Sequence, residues 1–554
     1  MLKYHVLAAA SALLASSILH AQAAEPAGLK SALATERIGL LPAQNFRLAD
    51  GKCGDCATLP QALWYFKDDV LAVPQRSQSM SGHGTHSSIV QGVKEWSATP
   101  AAATLEHPPL VWLGAPYVFD DVNLMRNGHQ VRAADGSLNG LHLASKIPTN
   151  LSYWNDKTTA YFAQRPLRMR GSMKDVAGKP TFVARTVWPK DFAIDGTSMP
   201  VQPFEPKESL TTFVQEAGGG ASSPFSTRLL WERSAGQGRQ WQDKPVLGIM
   251  LNGAQGDDDE AFGGHFAIAT GTVGKQGQMA DWVINNFYNL DSYSEKGIVA
   301  APVPMDNYLM DINSGQQYYR PSYMLVAVLS NPRTAVAYQG GVQRVFNHFY
   351  KHDFTYRHAA ANCTGISMDV FKGLGWNVPQ RGATNSLKAI GAYGYLSAKD
   401  MSLTSGRKIY DYLTEEQTRL YPAVAFDAAG TDLMQLVGAA AGKPARELTG
   451  FEKQLRDDVE AIVLVRIPQI PSSRVMGSNP IFSFDEFMAR TPPDQKDWKI
   501  VPVGARPFPA ELRGATPVEA TPSPVPLPVA GIAAFGVLGI GAFLRRRRNN
   551  KAKG

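Results

Sequence analysis

The sequence predicts a protein of the α+β class. Residues 150–330 contain short β-branched and aromatic segments separated by glycine, proline and aspartate, a pattern typical of strands. After residue 340, apolar residues recur at helical spacing, and a helical segment such as 363–375 ends at glycine. Because strands and helices come in separate blocks rather than in strict alternation, an α+β fold is favoured over a parallel α/β fold.

Length and composition indicate several regions. The 554 residues are 44% apolar and 19% charged, which is a globular composition, and a chain of this length exceeds a single hydrophobic core. The predicted regions are a signal peptide at 1–23, a β-rich N-terminal region at 24–245, a core at 246–385, a mostly helical C-terminal region at 386–510, a Pro-rich linker at 511–524 and a tail at 525–554.

The formal net charge of +7 lies entirely in the two ends of the chain. Residues 1–23 contain Lys3 and no acid, and residues 525–554 contain four arginines, two lysines and no acid. Residues 24–524 are therefore neutral overall. Nucleic-acid binding depends on a basic surface that neutralises phosphates, so we expect no nucleic-acid partner.

The N-terminus has the pattern of a secretory signal peptide. Lys3 is followed by an apolar stretch at residues 6–19 and then by Ala21-Gln22-Ala23, a small-x-small sequence. A basic residue, an apolar segment and a cleavage site in this order are typical of export signals. We expect cleavage after Ala23 and a mature protein in an oxidising compartment.

The chain has three cysteines, and two of them form a Cys-x-x-Cys sequence. In an exported protein a local disulfide between Cys53 and Cys56 is the favoured interpretation. A redox-active pair and a zinc site completed by His83 and His86 stay open as alternatives. We predict the disulfide, no metal and no cofactor, which leaves Cys363 as a free thiol.

The middle of the chain carries the clearest secondary-structure patterns. The predicted strands are TTAYFA (158–163), TFVARTVW (181–188), TRLLWER (227–233), VLGIML (246–251), HFAIATG (265–271), DWVINNFY (281–288), YMLVAVLS (323–330) and EAIVLVRI (460–467). The predicted helices are VQRVFNHFYKH (342–352), CTGISMDVFKGLG (363–375) and most of residues 385–460.

His265 and Cys363 are the candidate base and nucleophile. His265 is the first residue of a predicted strand whose small residues allow a helix to approach closely. Asn362 is a good N-cap, so a helix is expected to begin at Cys363. The partial positive charge of a helix N-terminus favours a thiolate there. Asn285 and Asn286, on the next strand, are both candidates for orienting the imidazole, because the strand register decides which of them faces His265.

This arrangement resembles the circularly permuted branch of the papain-like superfamily, which includes NlpC-type cell-wall amidases and lecithin retinol acyltransferase relatives. In that branch a histidine strand precedes a helix-starting cysteine, often within a Tyr-x(5)-Asn-Cys sequence, and residues 356–363 match that sequence. The resemblance implies a permuted papain-like core with His265 as base, Cys363 as nucleophile and Asn286, or less well Asn285, as the third residue.

The same resemblance implies a thiol hydrolase or acyltransferase that acts on an amide or ester, with peptidoglycan peptides as the first candidate substrate. In such an enzyme an acyl group passes through the cysteine sulfur. Backbone N–H groups at the helix start, around Asn362, Cys363 and Thr364, are expected to stabilise the oxyanion.

The tail combines a short motif, an apolar segment and a basic cluster. Val525-Pro526-Leu527-Pro528 is followed by 16 uncharged residues, 529–544, and by four arginines. These 16 residues span about 24 Å as a helix, short of a hydrocarbon core of about 30 Å. This marginal transmembrane segment, closed by arginines, would anchor the protein in the inner membrane with the basic cluster in the cytoplasm.

The order of these three features resembles a PEP-CTERM sorting signal of the variant form that carries Val-Pro-Leu-Pro. The resemblance implies an exosortase-type processing enzyme as partner and a final location in the cell envelope or outside the cell. An envelope or exopolysaccharide component is then the expected further partner. A permanent tail anchor is the alternative.

Two other functions stay open. Sorted proteins also include non-enzymatic surface or exopolysaccharide-matrix proteins with structural or binding roles. The sequences His-Gly-Thr-His at 83–86 and Gly-Thr-Ser-Met at 196–199 resemble segments of subtilisin-like serine proteases, in which His83 would be the base and Ser198 the nucleophile. Three prolines soon after Ser198 argue against the long helix that such a nucleophile requires.

Overall fold

The structure is a computed structural model. It describes residues 28–56, 59–75, 88–103, 109–127, 130–133, 141–143, 154–236, 239–293, 298–359 and 361–513. The predicted signal peptide, the sorting tail, most of the Pro-rich linker and the histidines at 83 and 86 lie outside these residues. No helix of the described ranges is long and apolar enough to cross a membrane.

The N-terminal region is β-rich, as predicted. Its strands are β1 (Leu29–Ser31), β2 (Arg37–Ile38), β3 (Leu41–Pro42), β4 (Phe46–Asp50), β5 (Val70–Pro74), β6 (Val111–Trp112), β7 (Tyr117–Leu124), β8 (Val131–Ala133), β9 (Leu141–Leu143), β10 (Leu167–Val176), β11 (Lys179–Pro189) and β12 (Ser226–Glu232). Its helices are α1 (Pro60–Tyr65), α2 (Ile89–Ser97), α3 (Asp156–Phe162) and α4 (Leu210–Val214).

Most of these strands form two sheets, while β2 and β3 pair with each other and β12 belongs to the central sheet described below. A six-stranded sheet has the order β1-β7-β10-β11-β9, with β8 paired to β7, and a three-stranded sheet has the order β4-β5-β6. The long β10–β11 hairpin is the centre of the larger sheet, and its inward-facing residues Met169, Ala184 and Val187 are fully buried.

One predicted strand of this region is wrong. Residues 158–163 are β-branched and aromatic, but they belong to the helix α3. The reason is the capping box of Asn155: its side chain accepts the backbone N–H of Thr158, and the Thr158 hydroxyl accepts the backbone N–H of Asn155. This local hydrogen bonding outweighs the strand preference of the side chains.

The rest of the chain contains the larger helices. Its strands are β13 (Pro245–Asn252), β14 (His265–Thr272), β15 (Val283–Asn286), β16 (Ser292–Tyr293), β17 (Ala301–Pro304), β18 (Ser322–Leu329), β19 (Val459–Ile467) and β20 (Gly504–Ala505). Its helices are α5 (Met305–Met310), α6 (Arg333–Tyr350), α7 (Cys363–Leu374), α8 (Ser386–Lys399), α9 (Leu403–Thr414), α10 (Gln417–Leu420), α11 (Pro422–Val437), α12 (Gly450–Asp458) and α13 (Phe484–Arg490).

A seven-stranded antiparallel sheet forms the centre of the molecule, in the order β12-β19-β18-β13-β14-β15-β17. Strands β13, β14, β18 and β19 are buried along almost their whole length, which explains their nearly continuous apolar sequences. The sheet extends beyond the predicted core of 246–385, because β12 and β19 form one edge. Within residues 386–510 the main helices end at Asp458, after which β19, mostly irregular segments and the short helix α13 follow.

Helices α6, α7 and α11 pack against β13 and β14. The sequence predicted α6 only over residues 342–352, but it starts at Arg333. Gly340 and Gly341 lower the helix propensity of its first half, and Gly340 is needed for packing, because a Cβ atom there would lie 2.4 Å from the Trp96 ring of α2. Predicted helix 363–375 is confirmed as α7, which ends at Gly375 with a positive φ of 99°.

Buried ion pairs join the N-terminal sheet to the central sheet. Arg170 of β10 donates from Nε to Asp306 of α5 at 3.1 Å, and both side chains are at most 1% exposed. Next to this pair, Arg168 donates to Asp281 at 2.7 Å. Through these contacts β10 is tied to α5 itself and to the segment just before β15.

Candidate active site

Cys363 is the first residue of α7. Its position is set by Asn362, whose side-chain oxygen accepts the backbone N–H of Gly365 at 2.7 Å. The amide nitrogen of Asn362 donates to the carbonyl oxygens of His358 and Leu420 at 2.8 and 3.1 Å. The Asn362 side chain is therefore fixed by hydrogen bonds at both its oxygen and its nitrogen. The helix begins at Cys363, as predicted.

The imidazole of His265 lies against the Cys363 sulfur, although 98 residues separate them in the sequence. Nε2 of His265 is 2.5 Å from Oδ1 of Asn286. The Asn286 amide nitrogen donates to the carbonyl of Val299 at 2.6 Å, which fixes the amide with its oxygen toward the ring. Nε2 must then carry the hydrogen, and Nδ1 is the nitrogen left to face the sulfur.

This environment lowers the pKa of the Cys363 thiol to about 6. Burial by itself raises that pKa, since a thiolate is poorly solvated in the interior. The charge of His265 and its hydrogen bond to the sulfur outweigh this effect, and hydrogen bonds from the Phe266 backbone and the Thr364 hydroxyl add to them. Cys363 is thus a buried thiol that ionises near neutral pH.

Tyr356 belongs to the site, and the sequence assigned it no role. Its hydroxyl oxygen accepts the backbone N–H of Cys363 at 3.2 Å. Burial, and then the negative charge on Cys363, raise the pKa of Tyr356 well above its ordinary value. The only sequence feature that pointed to Tyr356 was its fixed spacing to Cys363 in the Tyr-x(5)-Asn-Cys sequence. In the structure, Arg357 and Ala361 form a β-bridge that turns the chain back, and the Tyr356 phenol thereby reaches the start of α7.

Two further tyrosines surround the imidazole. The rings of Tyr288 and Tyr308 have their centroids 6.4 Å from that of His265. The Tyr308 hydroxyl donates to Oδ1 of Asn252, which pairs directly with His265 across β13 and β14. The Asn252 amide donates in turn to Ser322 at 2.7 Å. Aromatic rings on two sides therefore help to bury the His265 side chain, which is 4% exposed.

The expected oxyanion site is only partly available. The backbone N–H of Cys363 is already bonded to the Tyr356 hydroxyl. The N–H of Thr364, at the second helical position, is one of the donors that an α-helix leaves without an intrahelical partner. The Thr364 hydroxyl oxygen lies 3.8 Å from the Cys363 sulfur.

Asn285 does not contact His265. It lies opposite Ile268 in the β14–β15 pairing and donates to the Ile268 carbonyl at 3.3 Å. Its side chain also exchanges hydrogen bonds of 3.2 Å with Gln339 of α6. The alternation of side chains along β15 therefore places Asn286 at the site and Asn285 against a helix.

The catalytic candidates are closed off from solvent. Cys363 and His265 are each 4% exposed, and Asn286 is 2% exposed. A substrate carbonyl can reach the sulfur only if the surrounding side chains move. The three candidate side chains are therefore brought together in a buried position.

The other predicted sites lie elsewhere. Cys53 and Cys56 are joined in a disulfide, so their sulfurs are not available to a metal together with Asp55. Ser198 is exposed in a turn, where its hydroxyl donates to Asp195 at 3.3 Å. No histidine contact of Ser198 occurs in the part of the chain that the structure describes, and His83 lies outside that part.

Comparison of the chain with protein-family models, with curated proteins and with solved structures found no match.

Proposed function

We propose that this protein is a thiol hydrolase or acyltransferase that acts on an amide or ester through Cys363 and His265. The observation that carries the proposal is the contact of a helix-starting cysteine, whose pKa is lowered to about 6, with an imidazole held by Asn286. A nucleophilic cysteine requires a low pKa and an adjacent base, and an orienting group for that base completes the set.

The order of these residues supports a permuted papain-like core. The histidine strand β14 comes first, the asparagine strand β15 is its neighbour in the sheet, and the cysteine helix α7 follows. Helix α7 packs against β14. The same groups also come together on unrelated folds by convergence, so we propose the permuted papain-like fold from the order of the elements and not from the site alone.

In the first half of the reaction, the Cys363 thiolate attacks the carbonyl carbon and an S–C bond forms. The carbonyl oxygen becomes an oxyanion, toward which the Thr364 N–H and the Tyr356 O–H donate. When the oxyanion collapses, the bond to the amine or alcohol breaks. The leaving group takes the proton from Nδ1 of His265, and an acyl thioester remains on Cys363.

In the second half, water or another acceptor attacks the thioester. Nδ1 of His265 removes the proton of the acceptor, and the C–S bond breaks to release the acid or transferred acyl product. The thiolate of Cys363 and the protonated imidazole are then restored. Asn286 holds the ring through both halves by accepting from Nε2.

We also propose that the protein acts in the cell envelope. The support is the order of the Val-Pro-Leu-Pro motif, the apolar segment and the arginine cluster in residues 525–554, after an export signal at residues 1–23. Anchoring in the inner membrane, processing by an exosortase-type enzyme and passage to the envelope or outside follow from that order. An envelope peptide or an exopolysaccharide component is the corresponding substrate or partner.

A non-enzymatic surface or matrix protein is the second candidate. The observation in its favour is that Cys363 and His265 are only 4% exposed, as buried structural residues would be. A buried structural cysteine has a raised pKa and does not form an acyl intermediate, so reactivity separates the two candidates.

The proposal is tested by acyl transfer from p-nitrophenyl acetate to the full-length protein, followed by peptide mass spectrometry. We expect one acetyl group on Cys363 and a steady release of nitrophenol as the thioester turns over. Cys363→Ala should abolish both signals. Ser198→Ala, the control for the serine-protease interpretation, should leave both unchanged. If the acetyl group appears on Ser198, or if Cys363 stays unmodified in the folded protein, the proposal is wrong.

Asn286→Ala is expected to lower the acylation rate of Cys363 about 10- to 100-fold, because a reorienting imidazole loses its alignment with the sulfur. Asn285→Ala is the matched control. It removes hydrogen bonds to Ile268 and Gln339, so it should cost about 1–3 kcal/mol of stability while the folded protein keeps its rate within twofold. Equal losses of rate in both variants would contradict the assignment of Asn286.

A further inference from the structure

One side of the candidate active site lies near the protein surface. The side chains that contact or adjoin Cys363 and His265 are buried at most positions, namely at Asn252, Phe266, Asn286, Tyr308, Asn362 and Thr364. Tyr288 and Tyr356 differ from them, because both are partly exposed to solvent. Of these neighbours, all of which lie in the described ranges, only the two tyrosines therefore reach the surface.

Tyr288 covers the pair from that side. Its ring centroid lies 6.4 Å from that of His265 and 6.2 Å from that of Tyr356. The Tyr356 hydroxyl in turn accepts the backbone N–H of Cys363 at 3.2 Å. The Tyr288 ring thus lies beside both the candidate base and the tyrosine that is bonded to the nucleophile, so a substrate that enters from this side meets the two rings first.

Of the two rings, Tyr288 is the one that can leave its place without disturbing the nucleophile. Displacement of Tyr356 would break its hydrogen bond to the Cys363 N–H. Tyr288 instead meets His265 through an edge-on ring contact, with 63° between the two planes. Rotation of the Tyr288 side chain therefore uncovers the pair and leaves the hydrogen bond of Tyr356 intact.

The backbone on either side of Tyr288 is anchored, so its side chain has to move by itself. The buried ring of Phe287 stacks on that of Phe346 with a centroid distance of 4.1 Å. Leu290 is buried as well, and its carbonyl accepts the Tyr65 hydroxyl at 2.7 Å. A partly exposed side chain changes rotamer much faster than an anchored chain segment moves. Access is therefore controlled by the rotation of one ring, which frees a space of the size of that ring.

The shape of that space limits what enters. The ring of Tyr356 bounds it on one side, and a flat group packs on such a ring at a distance of about 3.5–4 Å. A planar peptide unit or an aromatic ring is as thin as the tyrosine ring that it replaces. A carbon atom with three methyl groups is about twice as thick. The freed space thus favours flat groups over globular ones.

We propose that Tyr288 is a specificity-determining residue of the site. Its ring rotates away to admit a flat substrate group, such as the planar amide of an extended peptide, which packs on Tyr356 while the adjacent carbonyl reaches Cys363. Groups that are bulky in every direction are excluded. The inference rests on the proposed function, since it concerns the access of a substrate to the Cys363 sulfur.

The test compares three alkylating reagents that share one reactive group and differ in the shape of the remainder. They are iodoacetamide, its flat N-phenyl derivative and its globular N-tert-butyl derivative. The alkylation rate of Cys363 in the full-length protein is measured by mass spectrometry and divided by the rate of the same reagent with free cysteine. After this correction we expect the N-phenyl reagent to react within about threefold of iodoacetamide and the N-tert-butyl reagent about 10-fold more slowly.

Tyr288→Ala removes the covering ring and should bring the N-tert-butyl reagent to within about threefold of iodoacetamide. Tyr288→Phe keeps the ring and should keep the full discrimination. Tyr395→Ala is the matched control, since Tyr395 is a 39% exposed tyrosine of α8 outside the site, and it should keep the discrimination as well. The ratio of two reagents in one variant does not depend on the thiolate fraction, so a change in the pKa of Cys363 leaves this ratio unaltered.

The outcomes are distinct for the two proposals. If none of the reagents modifies Cys363 in the folded protein, the proposed function fails. If Cys363 reacts but all three reagents react equally, or if Tyr288→Ala keeps the discrimination, substrates enter elsewhere and the role of Tyr288 is overturned. An N-phenyl reagent as slow as the N-tert-butyl reagent would show selection by size alone and would contradict the preference for flat groups. If Tyr288→Ala fails to fold, Tyr288→Leu, which keeps an apolar cover over the site, is measured in its place with the same expected loss of discrimination.

Discussion

Replacing His265 with alanine is expected to move the pH midpoint for alkylation of Cys363 from about 6 to above 8. His265 is the group that lowers the thiol pKa, whereas the burial that raises it remains in the variant. At pH 7 the unsubstituted protein is mostly thiolate and the variant mostly thiol, so its alkylation rate should fall on the order of 10- to 30-fold. The acyl-transfer rate should fall further, because the general base is lost as well.

The reactivity of Cys363 should rise with pH, because the thiolate is the reactive form and the pKa of the thiol is lowered. Reactivity of the unsubstituted protein should be full above pH 7 and should fall as the pH drops through about 6. Because the pKa of this thiol is lower in the folded than in the unfolded protein, its ionisation stabilises the folded state. This contribution to stability is fully present above the pKa of the unfolded thiol and is lost as the pH falls toward 6. Iodoacetamide labelling between pH 5 and 9, read by mass spectrometry, measures the midpoint.

His348→Ala is a suitable control, since His348 pairs with Asp353 on the protein surface side of α6 and is 31% exposed. It should leave the midpoint at that of the unsubstituted protein. An unchanged midpoint in His265→Ala would mean that the helix N-terminus, rather than the imidazole, lowers the thiol pKa, and the assignment of His265 as base would be lost.

Asp306→Asn is expected to destabilise the fold by about 2–4 kcal/mol. It removes the nearer counter-charge of the buried Arg170 guanidinium and leaves only Asp281, whose oxygen is 3.7 Å away. The substitution keeps the shape of the side chain and an oxygen that can accept the backbone N–H of Asn307. The loss should therefore come from charge and not from packing. Thermal and urea unfolding of the full-length protein give the change in stability.

Two further variants separate the effect of the buried Arg170–Asp306 pair from that of an ordinary surface ion pair. Lys275→Ala breaks the exposed pair of Lys275 with Glu36, which also links the N-terminal region to the segment after β14, and should leave the stability nearly unchanged because solvent screens such a pair. The double replacement Arg170→Met with Asp306→Leu should recover much of the loss, since it removes both charges. A loss in Asp306→Asn no larger than that in Lys275→Ala would contradict the role of this buried pair.

The local features of the site could be predicted from the sequence. Asn362 before Cys363 indicated a helix start, and the glycine after Leu374 indicated its end, because caps depend on residues within one turn. The strand that begins at His265 was recognisable from its composition. These predictions are confirmed by the helix α7 and the strand β14.

The wrong predictions have local causes too. Composition alone favoured a strand at residues 158–163, and the capping box at Asn155 went unrecognised. The first half of α6 was missed because two adjacent glycines lower helix propensity, although Gly340 is required where Trp96 packs against the helix. In each case a specific contact outweighed an average preference.

Composition and neighbours within a few positions were enough to predict the neutral body, the α+β class, the helix start at Cys363 and the pair of residues to be tested. Only the folded chain shows which asparagine faces His265 and that Tyr356 returns to the helix start. Those outcomes depend on strand register and on contacts between distant parts of the chain. Register is set by the packing of whole sheets, so no short segment of sequence specifies it.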